Sequence, residues 1–232
     1  MESALLWGAV AASSLVIGAL LGLARKWPDR WVGLVLAFGA GALVSSVSFE
    51  LAEEGLKVGS GTSLGIGLAV GAFTYWGLNR ELDRRSGGSG AGTALALGAF
   101  LDGIPEQLVL GIGIATGGGV SIALLVAIFV SNPPEAIGSA SQMREAKRPP
   151  PVIRRLWIVV AVVCLLATLA GYAIADSVSG ELRAGIDGFA AGALLVMLVD
   201  SMIPEATRKA GDTAGLVTTL GFAVAAGLSA LS

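Results

Sequence analysis

The sequence predicts an all-α, multi-pass membrane protein with eight transmembrane helices. Of its 232 residues, 54% are hydrophobic and only 14% are charged, and the mean hydropathy is +0.80. Soluble globular domains carry about 25% charged residues. Long apolar runs alternate with short loops, and the basic residues gather in every second loop. The 34 glycines fit this class, because small residues let membrane helices pack closely.

A helix needs about 20 apolar residues to cross the hydrocarbon core of a bilayer. Stretches of this kind recur along the whole chain, which we interpret as one transmembrane domain over residues 1–232. In the third stretch the pairs Gly61–Gly65 and Gly67–Gly71 have GxxxG spacing, which predicts tight contact with another helix. The predicted helices cover residues 4–24, 31–51, 60–79, 91–115, 119–142, 153–175, 184–206 and 212–231.

The loop charges predict the orientation of the chain. Thirteen of the 15 Lys and Arg residues fall in loops on one side of the predicted helices, and Lys57 and Arg183 fall on the other. The positive-inside rule then places the basic loops in the cytoplasm and both termini outside. We therefore expect a multi-pass protein of the cell inner membrane, surrounded by the lipid bilayer.

Two related motifs lie inside the fourth and fifth apolar runs. The first is Asp102-Gly103-Ile104-Pro105-Glu106, and the second is Ser131-Asn132-Pro133-Pro134-Glu135. A shift of 29 residues lays Pro105 and Glu106 on Pro134 and Glu135. A carboxylate inside a membrane is costly, at least roughly 2–3 kcal/mol on insertion scales. Neither run contains a Lys or Arg, so we expect the positive partner to be a cation from outside the chain.

The prolines add backbone acceptors to these motifs. A proline inside a helix frees the carbonyl four residues earlier, and a free carbonyl at membrane depth needs water, an ion or a cavity. Asp102 and Glu106 are four residues apart and share a helix face, as Asn132 and Glu135 do at a spacing of three. Plain proline kinks with protonated carboxyl groups that bond one another are the alternative.

A second repeat links the two ends of the chain. The series Phe38, Gly41, Ala42, Leu43 and Glu54 aligns at a constant shift of 151 with a series in the seventh predicted helix, namely Phe189, Gly192, Ala193, Leu194 and Glu205. If helices 1–3 and 6–8 are repeats joined by two helices, they lie in opposite orientations. This 3+2+3 inverted-repeat arrangement is typical of secondary transporters. Chance similarity between Gly- and Ala-rich helices remains an alternative.

These features resemble the ZIP family of divalent-metal transporters. That family has a His-Asn-x-Pro-Glu-Gly motif in its fourth helix and a related Pro-Glu motif in its fifth, where this chain has Asp102-Gly103-Ile104-Pro105-Glu106-Gln107 and Asn132-Pro133-Pro134-Glu135. The resemblance extends to eight helices with outside termini. It also covers Phe49-Glu50-Leu51-Ala52-Glu53-Glu54 and Ser201-Met202-Ile203-Pro204-Glu205, which are similar to the ends of the family's second and seventh helices.

The chain departs from the family pattern in its ligands. The family's histidine and asparagine are here Asp102 and Gly103, and the histidine of the second helix is Glu50. The His-rich cytoplasmic loop is replaced by a short linker over residues 80–90, and the sixth helix has no acidic residue to complete a second metal position. An all-oxygen ligand set is harder than one with histidine, which favours Mn²⁺ or Fe²⁺ more than the family's usual set does.

The resemblance implies transport of a divalent metal cation, Zn, Fe or Mn, by alternating access, with import the expected direction. We therefore expect the metal to be cargo, and we expect no cofactor and no enzymatic activity. The expected metal ligands are Asp102, Glu106, Asn132 and Glu135. The expected residues of the pathway are Glu50, Glu54, Ser131, Asp200 and Glu205, although solvated helix ends would also explain Glu54 and Glu205, as they do Glu53.

Two other functions remain as alternatives. The same carboxylates would serve a proton- or sodium-coupled carrier of another small solute. An intramembrane aspartyl protease would use Asp102 and Asp200, but the chain lacks a Gly-x-Gly-Asp motif. The formal net charge of −2 predicts no nucleic-acid partner. The absence of histidine excludes histidine-based triads and HExxH zinc chemistry.

The sequence leaves four properties open. They are the physiological metal, the direction and coupling ion of transport, the number of metals at the central site, and the oligomeric state. A homodimer is one of the oligomeric states that the sequence leaves open. The five tryptophans, Trp7, Trp27, Trp31, Trp76 and Trp157, fall near predicted helix ends and are interpreted as anchors at the membrane interface.

Overall fold

The structure is a computed structural model that describes residues 1–86, 91–115 and 122–230. Its regular elements in these ranges are all helices. They are α1 (Glu2–Ala24), α2 (Asp29–Ser45), α3 (Glu54–Val58), α4 (Gly61–Ser86), α5 (Ala91–Ala115), α6 (Ile122–Glu145), α7 (Pro150–Ile174), α8 (Gly180–Met197), α9 (Ile203–Ala210) and α10 (Ala214–Ser229).

Two π-helical segments join helices end to end. Ser46–Glu53 connects α2 to α3, and Leu198–Met202 connects α8 to α9. Two 3₁₀ turns, Ala175–Ser177 and Gly211–Thr213, follow α7 and α9. Stretches of π-helix occur frequently at functional sites. Here they carry Glu50 and Asp200, two residues that the sequence predicts to line a pathway.

Several helices continue beyond the predicted apolar stretches. The second predicted helix ends at residue 51, whereas helical structure continues to Val58. The extension is polar, and its charges pair along the helix: Lys57 Nζ lies 3.0 Å from Glu53 Oε1 and 3.5 Å from Glu54 Oε2. Pairs at these spacings stabilise a helix that has left the apolar layer.

Five segments of the described chain are long and apolar enough to cross a membrane. They are Glu2–Ala24, Asp29–Val58, Ala96–Ala115, Pro150–Ser177 and Gly180–Ser229. The described chain is therefore all-helical, and its apolar segments indicate a multi-pass membrane protein. Many large apolar side chains are exposed, such as Phe73 and Leu216 at 72% and 75%, as expected where lipid replaces water.

Glycines set the closest helix contacts. A Cβ placed at Gly192 of α8 would overlap the carbonyl oxygen of Leu68 in α4, and one at Gly67 or Gly71 would overlap the backbone of α8. The predicted tight contact therefore forms through Gly67 and Gly71. The Gly61–Gly65 pair does not take part, because a Cβ at Gly65 would meet no atom within 4 Å.

Trp157 differs from the interface anchor that its sequence position suggests. Its side chain is 0% exposed, in a cluster that includes Leu15, Ile153 and Cys164. Trp31 and Trp76 are 59% and 49% exposed, in agreement with an anchoring position. The sequence places all three near helix ends, but only the packing of α1 and α7 decides that Trp157 faces the interior.

Candidate metal-binding site

The two proline motifs lie in neighbouring helices that continue through their prolines. Pro105 lies inside α5, and Pro133 and Pro134 lie inside α6. The two helices pack against each other, with α7 on α5 and α1 on α6. The neighbours approach closely, because a Cβ at Gly18 of α1 would lie 2.8 Å from the carbonyl oxygen of Pro133.

The site contains two buried glutamates. Glu106 is 2% exposed and Glu135 is 0% exposed. Glu106 Oε2 and both carboxyl oxygens of Glu135 have no hydrogen-bond partner among the described residues. The two carboxylates interact electrostatically. Buried carboxyl oxygens without partners are destabilising, and a bound cation would offset that cost.

Asn132 adds an amide to the buried site. It is 2% exposed, and its Nδ2 donates a hydrogen bond of 3.3 Å to Ser14 Oγ of α1. Ser14 Oγ in turn donates to the carbonyl oxygen of Ala11 at 2.6 Å. This chain of bonds holds the amide nitrogen toward α1. The amide oxygen is the group that a hard cation would use.

The side chains of Asp102 and Ser131 lie outside the described part of the structure. Their places in the sequence put them on α5 and α6, near Glu106 and Glu135. Among the described side chains, no group of three or more His, Cys, Asp or Glu comes together as a metal site would require. The described candidate ligands are therefore Glu106, Glu135 and Asn132, and a further carboxylate at residue 102 stays a prediction.

A cavity of about 600 Å³ opens on the side that carries Lys57 and Arg183. Val109 and Leu110, about one helical turn after Glu106, line it. Glu50 also lines it and interacts electrostatically with Glu106. The wall contains in addition Phe49, Glu53, Glu54, Gly113, Ala226, Ser229 and Ala230. This cavity, which we call the vestibule, therefore reaches from the surface to the neighbourhood of Glu106.

The structure separates the other predicted pathway residues. Glu54 lies in the vestibule beside Arg183, whose Nη2 is 4.0 Å from Glu54 Oε1. Asp200 is exposed and is absent from the vestibule wall. Glu205 is 7% exposed and accepts hydrogen bonds from Nε and Nη2 of Arg208, which belongs to the opposite side of the predicted membrane.

Asp187 is a buried acid that sequence reasoning did not select. It is 1% exposed, neither carboxyl oxygen has a hydrogen-bond partner among the described residues, and it interacts electrostatically with Arg183 and Glu54. The signal was an acidic residue inside the apolar stretch 184–206. No proline or second acid lies within two residues of it, unlike Glu106 and Glu135, so its sequence neighbourhood carries no motif.

Comparison with known proteins supports metal ion transport in general. No family model matches the chain. A curated Arabidopsis thaliana protein described as a "putative zinc transporter" is 27% identical over 222 residues, and the match covers 88% of this chain. The chain spans about a third of that relative, 35% of its length. The similarity to this relative is consistent with the resemblance to the ZIP family of divalent-metal transporters that the paired Pro-Glu motifs indicate.

Proposed function

We propose that the protein transports a divalent metal cation across the membrane by alternating access. Glu106, Glu135 and Asn132 bind the ion between α5 and α6, together with Asp102. The observation that carries this proposal is the pair of buried glutamates without a positive partner among the described residues. A divalent cation offers both carboxylates the charge that the helices themselves do not provide.

The proposal includes eight membrane-spanning helical segments in a 3+2+3 inverted repeat. Equivalent glycine contacts support it. A Cβ at Gly41 would overlap the backbone of Thr218 in α10, and a Cβ at Gly192 would overlap that of Leu68 in α4. The shift of 151 relates Gly41 to Gly192, and the two partner helices are the third members of the two proposed repeats. The two π-helical segments also occupy corresponding places, because one follows α2 directly and the other follows α8.

The proposed orientation places the vestibule outside the cell. Its basic residues are Lys57 and Arg183, whereas thirteen Lys and Arg residues lie in the loops of the opposite side. The positive-inside rule assigns those loops to the cytoplasm. An outward vestibule that leads toward Glu106 favours import, and the cell inner membrane is the proposed location.

The proposed cargo is Zn²⁺, Fe²⁺ or Mn²⁺. The relative's description supports zinc, and the oxygen ligands support a harder ion beside it. No resident cofactor and no chemical step are part of the proposal. The metal enters from the vestibule past Glu50, loses water at the buried pair, and leaves on the side of Glu205.

Metal-dependent stabilisation of the purified protein tests this function. Zn²⁺ and Mn²⁺ are each expected to raise the melting temperature of the protein in detergent, because a ligand that binds only the folded state stabilises it. Proteoliposomes should accumulate the same metals. Stabilisation by Na⁺ alone, with no response to any divalent metal, would instead favour a sodium-coupled carrier.

A further inference from the structure

Lys209 lies at the centre of an ion-pair cluster on the side opposite to the vestibule. Its Nζ is 3.2 Å from Asp29 Oδ1, 3.2 Å from Glu145 Oε1 and 3.5 Å from Glu205 Oε1. The side chain of Lys209 is only 4% exposed. We call Lys209, Asp29, Glu145 and Glu205 the Lys209 cluster.

The cluster joins three helices that are remote in sequence. Asp29 is the first residue of α2, Glu145 is the last residue of α6, and Glu205 and Lys209 belong to α9. The backbones of α2 and α9 are also in close contact, since a Cβ at Gly33 would lie 2.5 Å from the amide nitrogen of Ala210. A carboxylate at a helix C-terminus is unfavourable to the helix dipole, so Lys209 stabilises the end of α6 as well.

Buried polar side chains of α6 lead from the proposed metal site toward this cluster. Ser139 lies four residues after Glu135, and Gln142 lies seven residues after Glu135, so the three share one helix face. Their exposures are 0% for Glu135 and Ser139 and 7% for Gln142. Both side-chain polar atoms of Gln142 lack a hydrogen-bond partner among the described residues. Glu145, which binds Lys209, follows three residues later.

The two sides of the protein differ in closure. The vestibule side is open. The ion pair between α3 and α8 on this side is longer than those of Lys209, with 4.0 Å between Arg183 Nη2 and Glu54 Oε1. On the other side, a cavity of about 320 Å³ ends at Ser141 and Glu145 and does not include Glu135 in its wall. Leu36 and Met202, both 0% exposed, fill the contact between α2, α6 and the π-helical segment before α9.

We propose that the Lys209 cluster is the cytoplasmic gate of the transport pathway. The tethered ammonium holds the ends of α2, α6 and α9 together while the vestibule is open. Separation of Lys209 from Asp29 and Glu145 opens the route along Ser139 and Gln142 to the cytoplasm. The cluster is therefore formed when the vestibule is open and broken when the vestibule is closed. The assignment rests on the proposed function, because a gate requires a pathway.

Thiol accessibility in the full chain tests the gate without a transport measurement. Cys164→Ala removes the single cysteine, and Ser139→Cys places a reporter between Glu135 and the cluster. A charged, membrane-impermeant methanethiosulfonate is applied in proteoliposomes to the face that labels Lys26→Cys. Lys209→Met is expected to accelerate labelling of the reporter from this face at least tenfold. Ala226→Cys in the vestibule should label more slowly in the same variant, because opening of one side closes the other.

Arg144→Met is the matched control. Arg144 also joins two helices at this end of α6, through a 3.1 Å bond from Nη1 to the carbonyl oxygen of Leu23 in α1. Within the described part of the chain it forms no ion pair with the cluster carboxylates. The control should leave both labelling rates within twofold, and Lys209→Arg should resemble the unsubstituted lysine. If Lys209→Met does not fold, Asp29→Asn combined with Glu145→Gln removes two of the three cluster carboxylates and should give the same acceleration.

Equal labelling of the reporter with and without the Lys209→Met substitution, or equal acceleration by Arg144→Met, overturns the gate. Acceleration of both reporters together also overturns it, since that result describes a loosened fold. Failure of metal to stabilise the protein would contradict the proposed function and leave these rates unaffected. The two proposals are therefore separable.

Discussion

Glu106 and Glu135 lie on the neighbouring helices α5 and α6, each directly after a proline, and both are buried at 2% and 0% exposure. They are 29 residues apart in sequence and interact electrostatically. This relationship brings together two buried carboxyl groups, three of whose four oxygens have no hydrogen-bond partner among the described residues. The predictions on metal binding follow from it.

Removal of either central charge is expected to abolish most transport. Glu106→Gln and Glu135→Gln keep the side-chain shape and remove one of two charges, so metal affinity should fall at least about tenfold, since even outer-shell changes cost roughly 10- to 100-fold. The folded yield should not fall, because membrane insertion gains from the loss of a charge. Metal binding and uptake into proteoliposomes measure the effect.

The control is Glu81→Gln. The Glu81 carboxylate lies 4.0 Å from Arg84 Nη1, and its loss should leave metal affinity unchanged. Wild-type uptake in both central variants would make the pair structural.

Substitution of Glu50 should affect capture more than turnover. Glu50 lines the vestibule and interacts electrostatically with Glu106, so Glu50→Gln is expected to raise the apparent KM for the metal several-fold. The difference from the unsubstituted protein should be smaller at high salt, because salt screens the attraction between Glu50 and the cation. Glu53→Gln should have less effect, because Lys57 lies 3.0 Å from Glu53 and already balances its charge. Uptake at a series of metal and salt concentrations provides the test. A larger effect at Glu53 would contradict the proposed route.

The residue at position 102 is expected to set metal preference. Asp102→His introduces an imidazole, which suits Zn²⁺ better than Mn²⁺. Competition between the two metals for uptake should then shift toward Zn²⁺, although Zn²⁺ is already favoured in absolute terms. An unchanged ranking would show that residue 102 does not select the ion.

The charge asymmetry predicts which residues share a side of the membrane. Lys26→Cys and Lys57→Cys, in a chain with Cys164→Ala, should label from opposite faces, because Lys26 belongs to the basic side and Lys57 to the vestibule side. Both positions are exposed, so each should react rapidly. Labelling of both from one face would contradict the topology.

Helix packing should make Gly192 far more sensitive than Gly65. Gly192→Ala places a methyl group against the carbonyl oxygen of Leu68, and such overpacking costs about 1–3 kcal/mol of unfolding free energy. Gly65→Ala meets no atom within 4 Å and should gain roughly 0.5–1 kcal/mol from helix propensity. Melting temperatures in detergent measure both. Equal tolerance at the two glycines would exclude this close contact of α4 and α8.

The helices and the paired glutamates were predictable because their signals are local. Apolar length indicates a membrane helix wherever it occurs, and a proline beside a carboxylate is visible within five residues. The position of Glu50 was also predicted as part of a pathway, and the structure puts it in the vestibule wall. Asp200 was predicted by the same reasoning, yet it is exposed and outside that wall. Which face of a continuous helix meets the pathway depends on how the helix is rotated in the bundle.

The sequence by itself determined the all-helical membrane class, the loop charge asymmetry and the acidic centre of the site, because these follow from composition and from spacing along one helix. Only the tertiary structure decided that Trp157 is interior, that Gly67 packs and Gly65 does not, and that Lys209 binds carboxylates of two other helices. Lys209 and Asp29 are 180 positions apart in sequence, so no local rule relates them. Their contact exists because Gly33 lets α2 and α9 approach closely enough for the ammonium on α9 to reach the first residue of α2.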